Sequence, residues 1–240
     1  MSAARVVLIT GASRGIGKAL ALAAGREGHA LVVNYRSSAE AARTVVERIE
    51  AAGGKALAVQ ADVGAAAEVE RLIAATLERF GRIDVVVNNA GVGRPIPLEA
   101  LDEAAFAQTL QANLVSAFLV SQAAVPHMRA QGGRLVFLSS GAARTGGRLS
   151  AAYAASKAGL EGLMHYYATA LRPQRITANA IAPSLIESDM VAGMDLSAPG
   201  ALPLGRLGRP EEVWPALRMI IETEYLTGQT IHLDAGRYMT

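Results

Sequence analysis

The 240-residue sequence contains no cysteine. This absence excludes disulfides, a thiol nucleophile and a cysteine-bound metal, and it fits a reducing compartment. Charged residues make up only 18% of the chain, and its net charge of +2 includes no block of lysine or arginine. A nucleic-acid-binding surface is therefore not expected. The four histidines are scattered without metal-ligand spacing, so we predict no metal site.

Long apolar runs are also missing. No stretch of about 18 uninterrupted apolar residues occurs, and the first strand-like run starts too early to follow a signal peptide. We therefore expect no membrane segment and a cytoplasmic location. Hydrophobic residues nevertheless make up 51% of the chain. This composition predicts an extensive core and apolar contacts between subunits.

Short β-branched runs alternate with helix-length stretches, a pattern typical of parallel βαβ units. The predicted strands are 5–10, 31–33, 56–60, 83–87, 134–138, 176–181 and 229–233. The predicted helices are 15–28, 39–52, 66–80, 104–129 and 151–171. No linker or repeat interrupts the pattern. We predict one α/β domain over 1–240, with a doubly wound seven-stranded parallel sheet and helices on both faces.

Two of these helices are apolar on more than one face, over 110–125 and 151–171. A helix with this pattern is buried on more than one side. Either it lies deep in the core, or its outer face packs against another copy of the chain. We favour the second explanation and predict a homotetramer or homodimer.

A glycine-rich segment, Thr10–Gly17, lies between the first predicted strand and the first predicted helix. Glycines at this junction allow a tight turn and close approach of a pyrophosphate to the helix N-terminus. After the second strand there is no carboxylate to bind a ribose 2′-hydroxyl; the chain reads Asn34-Tyr35-Arg36. Arg36 and Arg14 are instead placed to meet a phosphate. We predict NADP(H), the alternative being two solvated arginines and no cofactor preference.

A second candidate site lies in the segment from Ser140 to Lys157. Tyr153 and Lys157 are four residues apart and share a helix face. A neighbouring ammonium lowers the pKa of a phenol, which predicts Tyr153 as a general acid near neutral pH. The Ser140 hydroxyl could hold a carbonyl oxygen. The Tyr-x-x-x-Lys spacing alone also occurs by chance on solvated helices.

Five segments occur together in one order. They are Thr10-Gly-x-x-x-Gly-x-Gly17, Asp62-Val63, Asn88-Asn89-Ala90-Gly91, Asn113, and Ser140 with Tyr153-x-x-x-Lys157. This set resembles the short-chain dehydrogenase/reductase family over essentially the whole chain. The resemblance implies a Rossmann fold and hydride transfer between a nicotinamide cofactor and a carbonyl group.

The resemblance also implies roles for individual residues. The catalytic set would be Asn113, Ser140, Tyr153 and Lys157. The cofactor-binding set would be Gly11, Ser13, Arg14, Gly15, Ile16, Gly17, Asn34, Arg36, Asp62, Val63, Asn89, Ala90, Gly91, Tyr153, Lys157, Pro183 and Ile186. Asn113 would bend its helix and hold a water that links Lys157 to solvent, whereas Asn88 would brace adjacent strands and Ser139 would be structural. Taken alone, Asp62 is typical of a helix N-cap or a turn, and Asn113 of an ordinary surface or core residue.

Within the family, the segments 179–190, 203–212 and 225–234 are similar to 3-oxoacyl-[acyl-carrier-protein] reductases of fatty-acid biosynthesis. Arg129 and Arg172 resemble the basic positions that those enzymes present to an acidic carrier protein. Their alternative role is that of ordinary cations at helix C-termini. Four departures concern Ser184, Ala235, the loop 148–152, and a substrate lid at about 184–205 that is shorter than usual.

These features predict an NADPH-dependent reductase of a 3-oxoacyl thioester, most simply one bound to acyl carrier protein, in lipid metabolism. The alternative is a dehydrogenase that acts on a free ketone, polyol or steroid-type alcohol, because the loop and lid departures affect pocket shape. A non-catalytic NADP(H) sensor is a third possibility. The intact set of Asn113, Ser140, Tyr153 and Lys157 argues against it, since a sensor needs no general acid.

Overall fold

The computed structural model describes residues 4–192, 194, 196, 197 and 201–237. Among them, seven strands form one sheet in the order β3-β2-β1-β4-β5-β6-β7, and every neighbouring pair is parallel. The strands are β1 (Val6–Ile9), β2 (Ala30–Tyr35), β3 (Lys55–Gln60), β4 (Val85–Asn88), β5 (Gly133–Leu138), β6 (Ile176–Pro183) and β7 (Thr230–Leu233). The strand order reverses between β1 and β4, where doubly wound sheets form their ligand crevice.

Helices cover both faces of the sheet, as the predicted fold requires. They are α1 (Gly15–Arg26), α2 (Ala39–Ala51), α3 (Ala66–Phe80), α4 (Glu103–Leu110), α5 (Ser116–Met128), α6 (Ala142–Thr145), α7 (Ala151–Ala170) and α8 (Trp214–Glu222). Short 3₁₀ turns occupy Leu98–Ala100, Arg172–Gln174 and Pro210–Val213. The prediction of a single Rossmann-like α/β domain is confirmed.

Two apolar cores lie on opposite faces of the sheet. Leu8 and Val86 face one core, where they pack with Leu72 of α3, Val120 of α5 and Leu160 of α7. The other face packs against α1, α2 and α8. Strands β1, β4 and β5 are buried along their whole length, which explains their nearly unbroken apolar sequence.

The segment from Glu103 to Met128 is one continuous rod with a π-helical turn at Gln111–Val115 between α4 and α5. By length and composition alone it could cross a membrane, although only a third of its most apolar window is buried. A core helix of a soluble protein passes the same test. Its buried residues, including Val120 and Met128, pack against the sheet.

Two details concern the regions in which the sequence departs from its relatives' pattern. The expected lid at 184–205 lies partly outside the described residues, at 193, 195 and 198–200.

Ala235 adopts a left-handed φ of 58°, a conformation that favours glycine. The alanine therefore retains a glycine-like backbone there at some conformational cost.

Candidate active site

A cleft of about 410 Å³ opens at the carboxyl ends of the parallel strands. Arg36 and Asp62 line it beyond β2 and β3, whereas Ser140 and Pro183 line it at the ends of β5 and β6. Every residue of the predicted cofactor set lines this cleft except Gly17. Ser140, Tyr153 and Lys157 line it as well. The structure thus brings the two sequence-predicted sites into one cavity.

The glycine-rich loop leaves room that a side chain would remove. A Cβ added at Gly17 would lie 2.5 Å from Asn89 Nδ2 and 2.7 Å from the Gly11 carbonyl oxygen. Gly15 has a φ of +55° where α1 begins. The first turn of α1 contains no acidic residue and no side-chain cap, so its N–H groups remain available to an anion. This glycine-lined cradle fits a dinucleotide pyrophosphate.

Asparagines hold the glycine loop in place. Asn89 Nδ2 donates to the carbonyl oxygens of Thr10, at 2.8 Å, and Gly11, at 3.1 Å. Asn34 Oδ1 accepts from the Gly11 N–H at 3.1 Å, and its Nδ2 donates to Ala61 O at 3.1 Å. Asn34 lines the cleft but is only 1% exposed. Its amide therefore positions the loop.

The two arginines predicted to meet a phosphate each lie near a carboxylate. Arg14 Nη1 is 3.2 Å from Asp189 Oδ2, and Arg36 Nη1 is 3.9 Å from Asp62 Oδ2. All four side chains are about half exposed or more. Exposed pairs of this kind contribute little to stability and can exchange partners. Both arginines therefore remain available to an anionic ligand.

The hydroxyl groups of Tyr153 and Ser140 lie close enough for a hydrogen-bond interaction that lowers the pKa of the phenol. Burial raises the pKa of the Tyr153 phenol, and the hydrogen bond with Ser140 opposes that shift. The predicted lowering of the Tyr153 pKa is wrong, because desolvation of the buried phenol is the larger effect. Tyr153 is thus held as a neutral phenol, the form that can donate a proton.

Lys157 lies one helical turn beyond Tyr153, with its Nζ 5.7 Å from the centre of the tyrosine ring. Its ammonium donates to the Leu138 carbonyl oxygen at 2.6 Å. Burial lowers the pKa of Lys157 to about 8. The amine therefore approaches its neutral form just above physiological pH.

Asn113 lies behind the cleft in the π-helical turn, 1% exposed. Its Oδ1 accepts from Val92 N at 2.7 Å, and its Nδ2 donates to Val92 O and Ser156 Oγ, both at 2.9 Å. The predicted local distortion of the helix is present. The side chain binds the segment after β4 to α7, while its link to Lys157 through water stays a prediction.

Other positions differ from expectation or were missed. Asn88 donates to Ser121 Oγ of α5 at 3.0 Å, so it braces the sheet against a helix and not against an adjacent strand. Ser150 caps α7 by accepting from Tyr153 N at 3.1 Å. A serine three residues before Tyr153 is a recognisable helix-cap signal. Its role in fixing the start of α7 could therefore have been predicted.

Arg129 and Arg172, the proposed docking cations, follow the C-terminal ends of α5 and α7. Both helices precede a strand that runs toward the cleft, so these arginines lie at the opposite edge of the sheet. The 20-residue α7 alone spans about 30 Å. The structure thus does not bring them to the site within one chain.

The family model for short chain dehydrogenases matches residues 5–197. The chain belongs to this family. Like other short-chain dehydrogenases, it is an oxidoreductase that acts on CH–OH and C=O groups. A 3-oxoacyl-[acyl-carrier-protein] reductase from Synechocystis is 42% identical, with 98% of each chain covered. Membership implies a nicotinamide cofactor, which the cleft geometry fits.

Two solved structures extend the comparison of this short-chain dehydrogenase. A dehydrogenase/reductase from Sinorhizobium meliloti superposes with a TM-score of 0.94 at 32% identity, covering 99% of this chain and 97% of that one. An NADH-dependent reductase responsible for alginate metabolism gives a TM-score of 0.89 at 30% identity, with 99% and 98% coverage. Proteins with different names thus share this fold, and the fold alone does not identify the substrate.

Proposed function

We propose that this protein reduces a 3-oxoacyl thioester to the 3-hydroxyacyl form with NADPH, in fatty-acid biosynthesis. The observation that carries the proposal is its full-length similarity to the 3-oxoacyl-[acyl-carrier-protein] reductase of Synechocystis. The cleft supports it, because Ser140 and Tyr153 line the same cavity as the glycine loop.

When bound, the nicotinamide cofactor supplies the hydride that reduces the carbonyl carbon. Tyr153, held as a neutral phenol, donates its proton to the carbonyl oxygen, and the Ser140 hydroxyl orients that oxygen. Lys157 holds a proton at Nζ below pH about 8 and is placed one turn from Tyr153 to replace the donated proton. Asn113 fixes the backbone between β4 and α7 around these groups.

The preference for NADP(H) over NAD(H) rests on Arg14 and Arg36, which line the cleft and can contact a 2′-phosphate. Arg36 lies after β2, where a carboxylate would instead favour the unphosphorylated ribose. The other proposed contacts with the cofactor are those of the glycine loop, Asp62, Val63, the 89–91 segment, Pro183 and Ile186.

Replacement of Arg36 by aspartate tests this preference. We expect Arg36→Asp to lower kcat/KM with NADPH by about 10-fold or more and to raise the NADH value relative to it. Steady-state kinetics with both cofactors measure the ratio. The matched control is Arg43→Glu on the exposed surface of α2, which should leave the ratio unchanged. A wild-type ratio near one would contradict the preference itself.

We also propose that the chain assembles as a homodimer or homotetramer through α5 and α7. Large apolar side chains on these helices are exposed, Phe118 by 41% and Tyr166 by 70%. Antiparallel pairing of α7 with that of a second copy would bring the C-terminal end of one helix beside the cleft of the other. Carrier-protein docking at Arg129 and Arg172 therefore depends on this assembly, and the proposed setting is cytoplasmic.

A free small-molecule carbonyl is the second candidate substrate. The similarity to the reductase responsible for alginate metabolism favours it, as does Leu149 in the loop before α7. Leu149 packs with Tyr153, and Met190 packs against this cluster, so an apolar wall borders the phenol. Such a wall restricts the shape of the carbonyl compound that can reach Tyr153.

The deciding experiment measures NADPH oxidation with acetoacetyl-carrier protein, acetoacetyl-CoA and a panel of free ketones, at low and high salt. We expect the carrier-bound thioester to give the highest kcat/KM and to lose its advantage at high salt, because charge-based docking is screened. Tyr153→Phe serves as the inactive control. Equal or better turnover of free ketones would overturn the thioester proposal in favour of the second candidate.

A further inference from the structure

One carboxylate beside the cleft has no role in the chemistry above. Glu161 lies on α7, one turn beyond Lys157, and its side chain is only 12% exposed. Its Oε1 accepts a hydrogen bond of 2.9 Å from Ser139 Oγ. Burial of a carboxylate destabilises the fold unless its charge is paired and its oxygen atoms accept hydrogen bonds.

The Ser139 hydroxyl does not need this carboxylate as a hydrogen-bond acceptor. The Ser139 hydroxyl also lies 3.3 Å from the Lys157 carbonyl oxygen, a neutral acceptor on the same helix. An apolar residue at position 161 would pack against the end of β5 without the desolvation of a charge. The need of Ser139 for an acceptor therefore does not explain why a carboxylate lies at position 161. The segments that Glu161 joins explain it better.

Glu161 connects α7 to both sides of Ser140. Ser139 precedes Ser140 in the chain, and Arg144 lies on α6, which starts two residues after Ser140. Arg144 Nε is 3.9 Å from Glu161 Oε2. Ser140 Oγ in turn accepts from the Ala142 N–H of α6 at 3.2 Å, and the Ser140 hydroxyl is close enough to that of Tyr153 to affect it by hydrogen bonding.

We propose that Glu161 is a positioning residue for Ser140. It holds the peptide before Ser140 and the helix after it against α7, the helix that also carries Tyr153. The two hydroxyls that meet the carbonyl oxygen are thereby fixed relative to each other. The inference rests on carbonyl reduction at this site, but not on the thioester or on NADPH as the particular reactants.

The test compares Glu161→Leu, which removes both contacts, with Glu161→Gln, which keeps an acceptor for Ser139. Whichever carbonyl compound the wild type reduces best is the substrate. We expect the leucine variant to lose about 10- to 100-fold in kcat, the scale of a small misplacement of reacting groups, and glutamine to restore most of it. Cofactor Kd, measured by fluorescence titration, should stay within about twofold because the glycine loop is untouched.

A primary isotope effect separates positioning from a general loss of structure. With reduced cofactor deuterated at the transferred position, the effect on kcat should rise in Glu161→Leu, because the chemical step becomes slower than product release. The control is Glu78→Leu, at an exposed carboxylate on α3, which should leave kcat and the isotope effect unchanged. Unfolding curves correct each rate for the folded fraction.

Should Glu161→Leu not fold, the double variant Ser139→Ala/Arg144→Met removes the two partners instead. We expect this double variant to reproduce the slow kcat and the raised isotope effect. The proposal is overturned if the folded leucine or double variant keeps the wild-type kcat, or if kcat, cofactor Kd and stability fall together. A wild type that reduces free ketones but not thioesters would reject the proposed substrate while leaving this test intact.

Discussion

Burial acts in opposite directions on Tyr153 and Lys157, the two buried titratable side chains among the residues that line the cleft. It raises the pKa of the Tyr153 phenol and lowers that of the Lys157 ammonium, since both neutral forms are easier to desolvate. The neutral phenol suits reduction, which needs a proton donor. The reverse reaction needs the phenolate, and we therefore expect oxidation to require a more alkaline pH than reduction.

The shifted lysine predicts a gain in stability on its removal. The pKa of Lys157 falls from 10.5 to about 8, so its penalty to folding is full below pH 8 and fades as pH rises toward 10.5. Removal of the ammonium also removes its hydrogen bond to the Leu138 carbonyl oxygen, which offsets part of the gain in stability. Lys157→Met should stabilise the fold by about 1–2 kcal/mol near pH 7 while abolishing turnover.

Urea unfolding at pH 7 and pH 10 checks this prediction. The advantage of Lys157→Met over the wild type should shrink at pH 10, where the folded lysine is neutral and the unfolded one has begun to lose its proton. Lys55→Met, at an exposed lysine, is the control and should show no such pH-dependent gain. A methionine variant less stable than the wild type at both values would contradict the argument.

Tyr167 offers a second residue-scale prediction. Its ring is stacked on Phe137 with centroids 6.2 Å apart, and its buried hydroxyl has no hydrogen-bond partner among the described residues. Burial raises the pKa of this phenol to about 12. Tyr167→Phe keeps the ring contact and removes the desolvated hydroxyl, which should raise stability by about 1 kcal/mol and Tm by about 2–4 °C.

Differential scanning calorimetry measures the Tm of this variant. Tyr225→Phe is the control, because the Tyr225 side chain is fully exposed and its Tm should not change. A lower Tm for Tyr167→Phe would show that the hydroxyl is satisfied, for example by ordered water.

At the scale of single elements, the π-helical turn at Gln111–Val115 is the local irregularity closest to the site. Insertion of one extra residue in a helical turn usually accompanies a functional constraint. Here it lets Asn113 reach Val92 on one side and Ser156 on the other. The turn thereby joins the end of β4 to the helix that carries Tyr153.

Asn113→Ala removes three short hydrogen bonds and leaves the half-buried backbone groups of Val92 and the buried Ser156 hydroxyl without these partners. We expect a loss of about 2–4 kcal/mol in the free energy of unfolding, with reduced turnover. Urea midpoints at an unchanged m-value measure the loss. Gln108→Ala, exposed on α4, is the control. An alanine variant as stable as this control would mean that the turn does not depend on the asparagine.

At the scale of the whole molecule, apolar side chains on α5 and α7 remain uncovered within one chain. We expect Tyr166→Glu to lower the assembled mass toward that of one chain, because a buried, unpaired carboxylate would be placed in the interface. Light scattering after size exclusion reports the mass. Arg43→Glu on α2 should not change it. A wild type that is already monomeric would contradict the proposed assembly.

The sequence by itself determined the features that depend on short spacing. The glycines at the junction of the first strand and the first helix predict that other parts of the chain approach the backbone closely there. The structure agrees at Gly17, which has no room for a Cβ. Alternating apolar runs specified a parallel sheet with both faces covered. The helix α8 was missed, because nine residues starting with Trp214-Pro215 give too short a pattern to distinguish from a loop.

Only the tertiary structure decided which polar groups meet and how deeply they are buried. It assigned Asn34 to the glycine loop, reversed the expected direction of the Tyr153 pKa, and placed Glu161 behind Ser140. The physical reason is that hydrogen bonds between distant segments, and the desolvation of a charge, depend on packing in three dimensions. The spacing of residues along the chain does not reveal that packing.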